Sequence, residues 1–203
     1  MANIRNVSIN QADATISIEG TPAEIELGEW VFRQLDQPID SPAVPQYRIP
    51  GDKDGVVEVF RLSLAKNPQY MQEMLTILRT VVDIQRIFNY TPVSAIALRG
   101  KSGDVAICEW LIHQLDREPP TADSGVHQFT TQGKPDDIVR VVYMIHNKTP
   151  KATLEALTAA RTQAHIMRAF NLSNAHAIVI RGTAPQLDQA ERLIAQVDRP
   201  APQ

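Results

Sequence analysis

Apolar and polar residues alternate over 4–9 (Ile4, Val7, Ile9) and 16–18 (Ile16, Ile18), with Asn10-Gln11-Ala12-Asp13 between, a pattern that predicts a β-hairpin. Thr21-Pro22-Ala23-Glu24 then reads as a helix start: Thr21 as N-cap, Pro22 at the first helical position, Glu24 closing a capping box. Ile25, Gly28, Val31, Phe32 and Leu35 form its predicted buried stripe, and Trp30 falls nearly opposite. Further on, 56–64 alternates as a strand, and Asn67-Pro68 opens a helix carrying Met71, Met74, Leu75, Leu78 and Val82 on one side. Strands over 84–89 and 95–98 follow, the second entering another helix. The same succession returns as a strand over 138–145, a helix through Leu154, Leu157, Ala160 and Ala164, strands at 166–171 and 177–180, and a last helix.

The pattern is therefore a repeat. A strand, a glycine and a helix ending on aspartate occur three times, from Ile16 to Asp36, Ile96 to Asp116 and Ile178 to Asp198. The last two copies match upstream as well: Arg79/Arg161, Thr80/Thr162, Ile84/Ile166, Arg86/Arg168, Phe88/Phe170 and Asn89/Asn171 share one offset of 82 residues. A period near 80 is a domain repeat, longer than the roughly 20–50 residues of a solenoid unit. The expected fold is α+β: tandem βαββα modules, each a three-stranded sheet with two helices on one face, the first module incomplete (ββα). Its boundaries read as a partial module over 1–38, a linker over 39–55, a complete module over 56–118, a linker over 119–135 and a complete module over 136–200. Both linkers are rich in proline and glycine. Each holds a short extended piece, 46–49 and 127–130, read as an edge strand or linker arm. A hairpin with one helix is a poor independent fold. We read the chain as a fragment, ahead of a half-unit that docks on its neighbour or pairs with another copy.

Composition narrows the function classes. The 203 residues are 43% hydrophobic with a net charge of −3, which gives no electrostatic footprint for nucleic acid or an anionic membrane. No apolar run approaches the roughly 18 residues of a membrane span, and the opening residues MANIRNVSIN lack the apolar core of a signal peptide. The lone Cys108 excludes an intrachain disulfide framework.

A helix following Gly-Thr and ending near Leu-Asp-Arg-Pro, placed after a strand, a helix and a hairpin, resembles the N-terminal ring-building domains of bacterial secretins. The residues that carry the resemblance are Ile178 to Thr183 with Val197-Asp198-Arg199-Pro200, Arg99-Gly100 with Leu115-Asp116-Arg117, and Glu19-Gly20-Thr21 with Leu35-Asp36-Gln37-Pro38. The resemblance implies KH-like modules that pack edge to edge into rings and bind partner proteins in the periplasm or cell envelope. The partners it implies are further copies of this chain, other envelope proteins, or both, and the expectation is a non-enzymatic scaffold of secretion or pilus machinery, without a cofactor. No pore-forming β segment follows Pro200, so gating and export do not carry over.

Chemical motifs were weighed against this. Gly100-Lys101-Ser102-Gly103 spells the GXXG of nucleic-acid-binding KH domains, the alternative function, but it joins a strand to a helix, and the other copies read Gly-Thr-Pro-Ala and Gly-Thr-Ala-Pro. A helix start with Ser102 near the cap accounts for it. It is not a phosphate loop either, since Ala95 stands where that motif needs its first glycine. Salt-dependent RNA binding weakened by Lys101→Ala is the test of the KH alternative. His113, His127, His146, His165 and His176 show no metal-ligand spacing with one another or with Cys108, which shares the stripe position of Gly28 and Ala190. The recurring acids, Glu29/Glu109/Glu191 and Asp36/Asp116/Asp198, read as structural, with Arg86 and Arg168 as candidate partners.

Trp30 and Trp110 are the candidate interface residues, with Arg192 in their place in the last copy. They lie about 160° from the centre of the buried stripe. Outward aromatics either anchor an interface or cover the linker that follows. Trp110→Arg separates the two: lost self-association at unchanged stability marks an interface, a large stability loss marks linker packing.

Overall fold

The computed structural model describes residues 6–37, 46–64, 67–122 and 127–199. Ile4, the prolines of 38–45 and Pro200, used above, lie outside the described residues. A hairpin of β1 (Asn6–Asn10) and β2 (Thr15–Glu19) leads into α1 (Pro22–Asp36). The first complete module has β3 (Tyr47–Arg48), β4 (Gly55–Arg61), α2 (Pro68–Ile77) running into a π-helical turn (Leu78–Val82), β5 (Arg86–Tyr90), β6 (Ala95–Lys101) and α3 (Ser102–Leu115). The second repeats it as β7 (His127–Thr130), β8 (Ile138–Tyr143), α4 (Pro150–Thr162), β9 (Arg168–Leu172), β10 (Ala177–Gly182) and α5 (Ala184–Val197).

The two sheets have one topology, β3-β4-β6-β5 and β7-β8-β10-β9, antiparallel throughout. Each has four strands where three were expected, because the extended pieces in the expected linkers pair with the next module: Tyr47 opposite Val57, and Phe129 opposite Val139. The linkers thus contribute edge strands rather than free connections. Of the two readings of 46–49 and 127–130, edge strand or linker arm, the structure shows the first.

Local chemistry recurs with the fold. All three hairpins turn on one left-handed residue at the same position, Ala14 (φ 50°), Ser94 (φ 50°) and His176 (φ 49°). Thr21 with Glu24 and Thr183 with Gln186 form capping boxes. The glycine before each helix sits against the end of a neighbouring side chain. A Cβ would stand 3.1 Å from Glu24 Oε2 at Gly20, 2.6 Å from Ile84 Cδ1 at Gly100 and 3.0 Å from Gln186 Oε1 at Gly182. Arg79 and Arg161, at the ends of the first helices, donate to the carbonyls of Ile87 and Ala169, so they tie helix to sheet.

The recurring aspartates do not pair with Arg86 or Arg168. Asp198 accepts the backbone amides of Ile145, His146 and Asn147 at 2.7, 2.8 and 2.6 Å, and Asp116 accepts those of Ser63 and Leu64 at 2.6 and 2.8 Å. Tyr70 Oη also donates to Asp116 Oδ1 at 3.4 Å and to the Leu115 carbonyl at 3.0 Å. A carboxylate at the end of each last helix thus organises the loop that starts the first helix.

The layers alternate: hairpin, α1, first sheet, α2 with α3, second sheet, α4 with α5. One apolar core, from Val56 and Met74 to Leu172 and Val179, runs through the α2–α3 layer into both sheets, and a smaller one around Ala156, Ile180 and Ile194 lies under α4 and α5. Among the α1 stripe, Gly28 is buried as expected, but Phe32 is 42% exposed and Ile25, Val31 and Leu35 are only half-buried. Leu27, outside that stripe, is buried instead. The hairpin alone is too narrow to cover the stripe.

Asp198→Ala removes three charge-assisted bonds and strands the amides; it is expected to lower stability by about 3 kcal/mol, measured by urea denaturation. A loss under about 0.5 kcal/mol would refute the role.

Candidate interaction surface

The second sheet faces two helical layers: its own on one side, and α2, the π turn and α3 of the first module on the other. The contact is apolar at its centre, where Val139, Val141, Leu172, Ala177 and Val179 join the core of the first module. Its polar bonds sit around that centre. Glu73 accepts from Ser173 N and Oγ at 2.7 and 2.8 Å. Tyr143 Oη donates to the Gln114 carbonyl at 2.7 Å. Arg181, with its side chain 5% exposed, forks onto Asp137 at 2.7 and 2.6 Å and donates through Nη1 to the carbonyls of Val81 and Val82 at 3.1 and 3.3 Å.

The Arg181 contact has a local cause. The first helix of that module ends in a π turn stopped by left-handed Asp83 (φ 73°), which leaves its last carbonyls without helical partners. The guanidinium supplies the donors. Its hydrogen bonds hold the Asp137 carboxyl below its ordinary range, against the opposing effect of burial.

α1 meets the first sheet in the same way. Arg61, at the position of Tyr143, donates through Nη2 to the carbonyls of Gln34 (2.7 Å), Leu35 (3.3 Å) and Gln37 (2.6 Å), and Gln34 is the counterpart of Gln114. Trp30 lies 5.5 Å from Tyr47, and Trp110 lies 5.8 Å from Phe129, centroid to centroid. Both indoles are half-buried against the edge strand of the following module, while Arg192 is exposed on α5. The outward tryptophans therefore meet an interface between successive modules of one chain.

An electrostatic exchange distinguishes the two modules. In the second, buried Arg140 donates to Asp188 at 3.0 Å, Glu191 at 2.6 Å and Gln128 at 3.0 Å. In the first, Glu58 takes the place of Arg140, Gln46 that of Gln128 and Glu109 that of Glu191. Gln46 turns its amide round and donates to Glu58 at 2.8 Å. Burial pushes the Glu58 carboxyl up to about 6, with the Gln46 bond opposing and Glu109 adding to the rise. The repeat shows this swap on the sequence, but only the structure shows that the positions touch. Glu29, the third recurring glutamate, pairs with Arg33 on the surface at 3.2 Å.

Other candidates found structural roles. In the Gly100-Lys101-Ser102-Gly103 turn, the Ser102 amide donates to the Asp54 carbonyl at 2.9 Å and its hydroxyl to the Asp54 carboxylate, so a donor that would meet a phosphate is occupied. Cys108 is buried, and burial pushes its thiol up, away from thiolate chemistry. Among the described residues no three His, Cys, Asp or Glu side chains group closely enough to hold a metal, and no helix is long and apolar enough to cross a membrane. A groove of about 800 Å³ between α4 and α5 is lined by Thr158, Thr162, Gln163, Leu193 and Gln196 among others.

The sheets and helices define a tandem α+β protein built of βαββα modules that stack sheet on helix. No protein-family model matches the chain, and no curated protein matches it. Solved structures similar to it are N-terminal domains of secretins. A dimeric cysteine mutant of the N-terminal domain of XcpQ from Pseudomonas aeruginosa is 18% identical at a TM-score of 0.29, over 71% of this chain and 59% of its own length. XcpQN012 is 16% identical at 0.31, over 83% and 76%. ExeD of Aeromonas hydrophila is 16% identical at 0.27, over 95% and 35%. This chain therefore spans about three fifths of the first of these and about a third of the last. At TM-scores near 0.3 the likeness carries no functional weight.

Two predictions follow from the charged contacts. Asp137→Asn is expected to cost about 3 kcal/mol at neutral pH, since it leaves Arg181 buried without its counter-ion. Because the folded Asp137 has a depressed pKa, its contribution is complete above the ordinary carboxylate range and lost as pH falls through that range and below. The acid limb of a stability-against-pH curve should flatten in the variant. Glu58 has the opposite sign: its raised pKa makes the first module most stable below the ordinary carboxylate range and less so as pH rises through about 6. Glu58→Arg, which offers Gln46 and Glu109 the bonds that Arg140 gives Gln128 and Glu191, with Ala106 in the place of Asp188, should abolish that decline and raise Tm at neutral pH by about 2–4 °C. A lower Tm would contradict the account.

Proposed function

We propose that this chain is a non-enzymatic scaffold for protein–protein interaction, whose copies associate laterally through the edges of their sheets. The observation that carries the reading is the common strand order of the two sheets, which leaves β5 and β9 as one pair of edge strands and β3 and β7 as the other. Edge strands present unpaired N–H and C=O groups. Pairing β5 and β9 of one copy with β3 and β7 of the next is a heterologous contact, the kind that closes into rings. The finer assignment, to secretion or pilus machinery in the periplasm or cell envelope, is proposed on the Gly-helix-Leu-Asp signature of the sequence. In this scheme Trp30 and Trp110 hold successive modules in register, and exposed Arg192 ends the series.

Light scattering over increasing concentration is the test. The mass should rise above that of one chain, and the joint change Arg86→Glu with Arg168→Glu, at exposed residues of β5 and β9, should weaken association at least tenfold at unchanged Tm. A single-chain mass up to about 1 mM would overturn lateral self-association.

A further inference from the structure

The two equivalent edge strands, β3 and β7, are fastened by opposite chemistry. In the second sheet Arg140, buried and charged at every pH, bonds Gln128 of β7 on one side and Asp188 and Glu191 of α5 on the other. One cation thus ties a four-residue edge strand to the helix above it. β3 has only two residues, and the hydroxyl of Tyr47, which meets Trp30, has no hydrogen-bond partner among the described residues.

Glu58 stands at the fastening point of the first sheet. It lies opposite Leu98, between Gln46 of the edge strand, which donates to it at 2.8 Å, and Glu109 of α3. The other charged or titratable groups around it are few. On β3, Arg48 is exposed at the next position along that face, opposite Val56. On α3, Cys108 adjoins Glu58, and Asp104 acts on Cys108 from a turn earlier. Glu26 of α1 faces Tyr47 on the far side of the sheet. Among the described residues no cation pairs with Glu58 as Asp188 and Glu191 pair with Arg140.

An ionised Glu58 therefore faces a second carboxylate across a half-buried gap, with one neutral amide to bond it. Burial first, and Glu109 in addition, push its carboxyl up to about 6 against the opposing Gln46 bond. Linkage fixes the consequence: once the proton is lost, any movement that returns such a carboxyl to water is favoured. α3 is anchored by Val105, Cys108 and Leu111, all inaccessible to solvent, whereas a short edge strand belongs to the part of a fold that opens first. The turn behind β3 stays on β4, because Asp52 accepts the Asp54 and Gly55 amides at 3.3 and 2.9 Å. Left-handed Gly51 (φ 79°) stands between that turn and the strand.

We propose that Glu58 makes β3 a proton-held latch: protonated, it keeps β3 seated on β4, and ionised, it lets β3 swing away about Gly51 and uncovers the edge of β4 at Val56 and Val57. The second sheet, clamped by Arg140, keeps its edge throughout. The consequence for assembly rests on the lateral-association reading above. The first sheet then offers its complete edge to a neighbouring copy in mild acid and withdraws it at neutral pH, so association strengthens as pH falls.

Amide hydrogen exchange reads the latch in the intact chain. The Ile49 amide donates to the Gly55 carbonyl at 3.0 Å, and its counterpart, the Thr131 amide, to that of Asp137 at 2.9 Å, which makes the second sheet an internal control. From about pH 4.5 to about pH 7.5 the protection of Ile49, corrected for intrinsic exchange, should fall about tenfold while that of Thr131 holds. Glu58→Gln, neutral at every pH, should keep Ile49 at its acid value, and Glu109→Gln, acting from α3, should make the fall smaller. A fall at Ile49 no larger than at Thr131, or one that persists in Glu58→Gln, overturns the proposal. In light scattering, self-association of the unaltered chain should weaken several-fold over the same range, but not that of Glu58→Gln. Association indifferent to pH while Ile49 opens would overturn the link to assembly. Absence of association at either pH would count against the lateral reading instead, and the exchange at Ile49 would still decide the latch.

Discussion

The structure depends on one helical layer being apolar on both sides. In α3, Val105, Cys108, Ile112 and Leu115 form one buried row and Ile107 and Leu111 another, all nearly inaccessible to solvent. A helix of this kind has no stable arrangement with a single sheet, because whichever row faced away would be left in water. Adding the second sheet is what buries it. α5 shows the contrast: its buried residues are Leu187, Ala190 and Ile194, while Gln189 and Arg192 stand at the positions of Ile107 and Trp110. The two complete modules are therefore not independent beads. They share a core, and a change under α3 reaches both sheets.

Polar groups fix how that shared layer is seated. The apolar contact tolerates sliding, but the fork of Arg181 on Asp137 and on the π-turn carbonyls allows one placement only. The recurring bond from position 61 or 143 to the carbonyl of Gln34 or Gln114 does the same at the other corner. Such bonds contribute little net energy, yet leaving them unmade in a dry interface is costly. Specificity of register comes from that asymmetry. The exchange of Arg140 for Glu58 shows a different tolerance: at a half-buried position a glutamine can reverse its amide and accept either sign of charge, at the cost of a carboxyl held far from its ordinary ionisation.

Much of this was legible in the residues. Internal repetition gave the βαββα order and the missing strand and helix of the first copy, and the Thr21-Pro22-Ala23-Glu24 pattern gave the capping box at Thr21; the one at Thr183 emerged only from the structure. What could not be read were contacts whose partner is backbone. Asp116 and Asp198 serve amides, which leave no trace in side-chain identity, so arginines at a matching offset looked like better partners. The pieces at 46–49 and 127–130 read as edge strand or linker arm, and only the strand opposite, Val56 and Val57 for Tyr47–Arg48, decides between the two. Trp30 and Trp110 meet Tyr47 and Phe129, and helical periodicity cannot say which residue covers an outer face. Phe88 and Tyr90 are a signal that was missed: Phe88 recurs as Phe170, and a recurring outward aromatic on a strand already points to a second covering layer.

The two ends of the stack are treated differently. Repeat proteins need terminal units with a polar outer face for solubility. The α4–α5 end meets that requirement, with Gln163 and Arg192 standing where the inner layer has Val81 and Trp110. The hairpin end does not: Val7, Ile16 and Phe32 are open, although their counterparts Ile87, Ile96 and Ile112 are buried. An apolar patch of this kind rimmed by polar residues is unstable to association. Together with the uncovered aromatics of β5, Val7, Ile16 and Phe32 make the hairpin end the side on which the described residues leave apolar surface open.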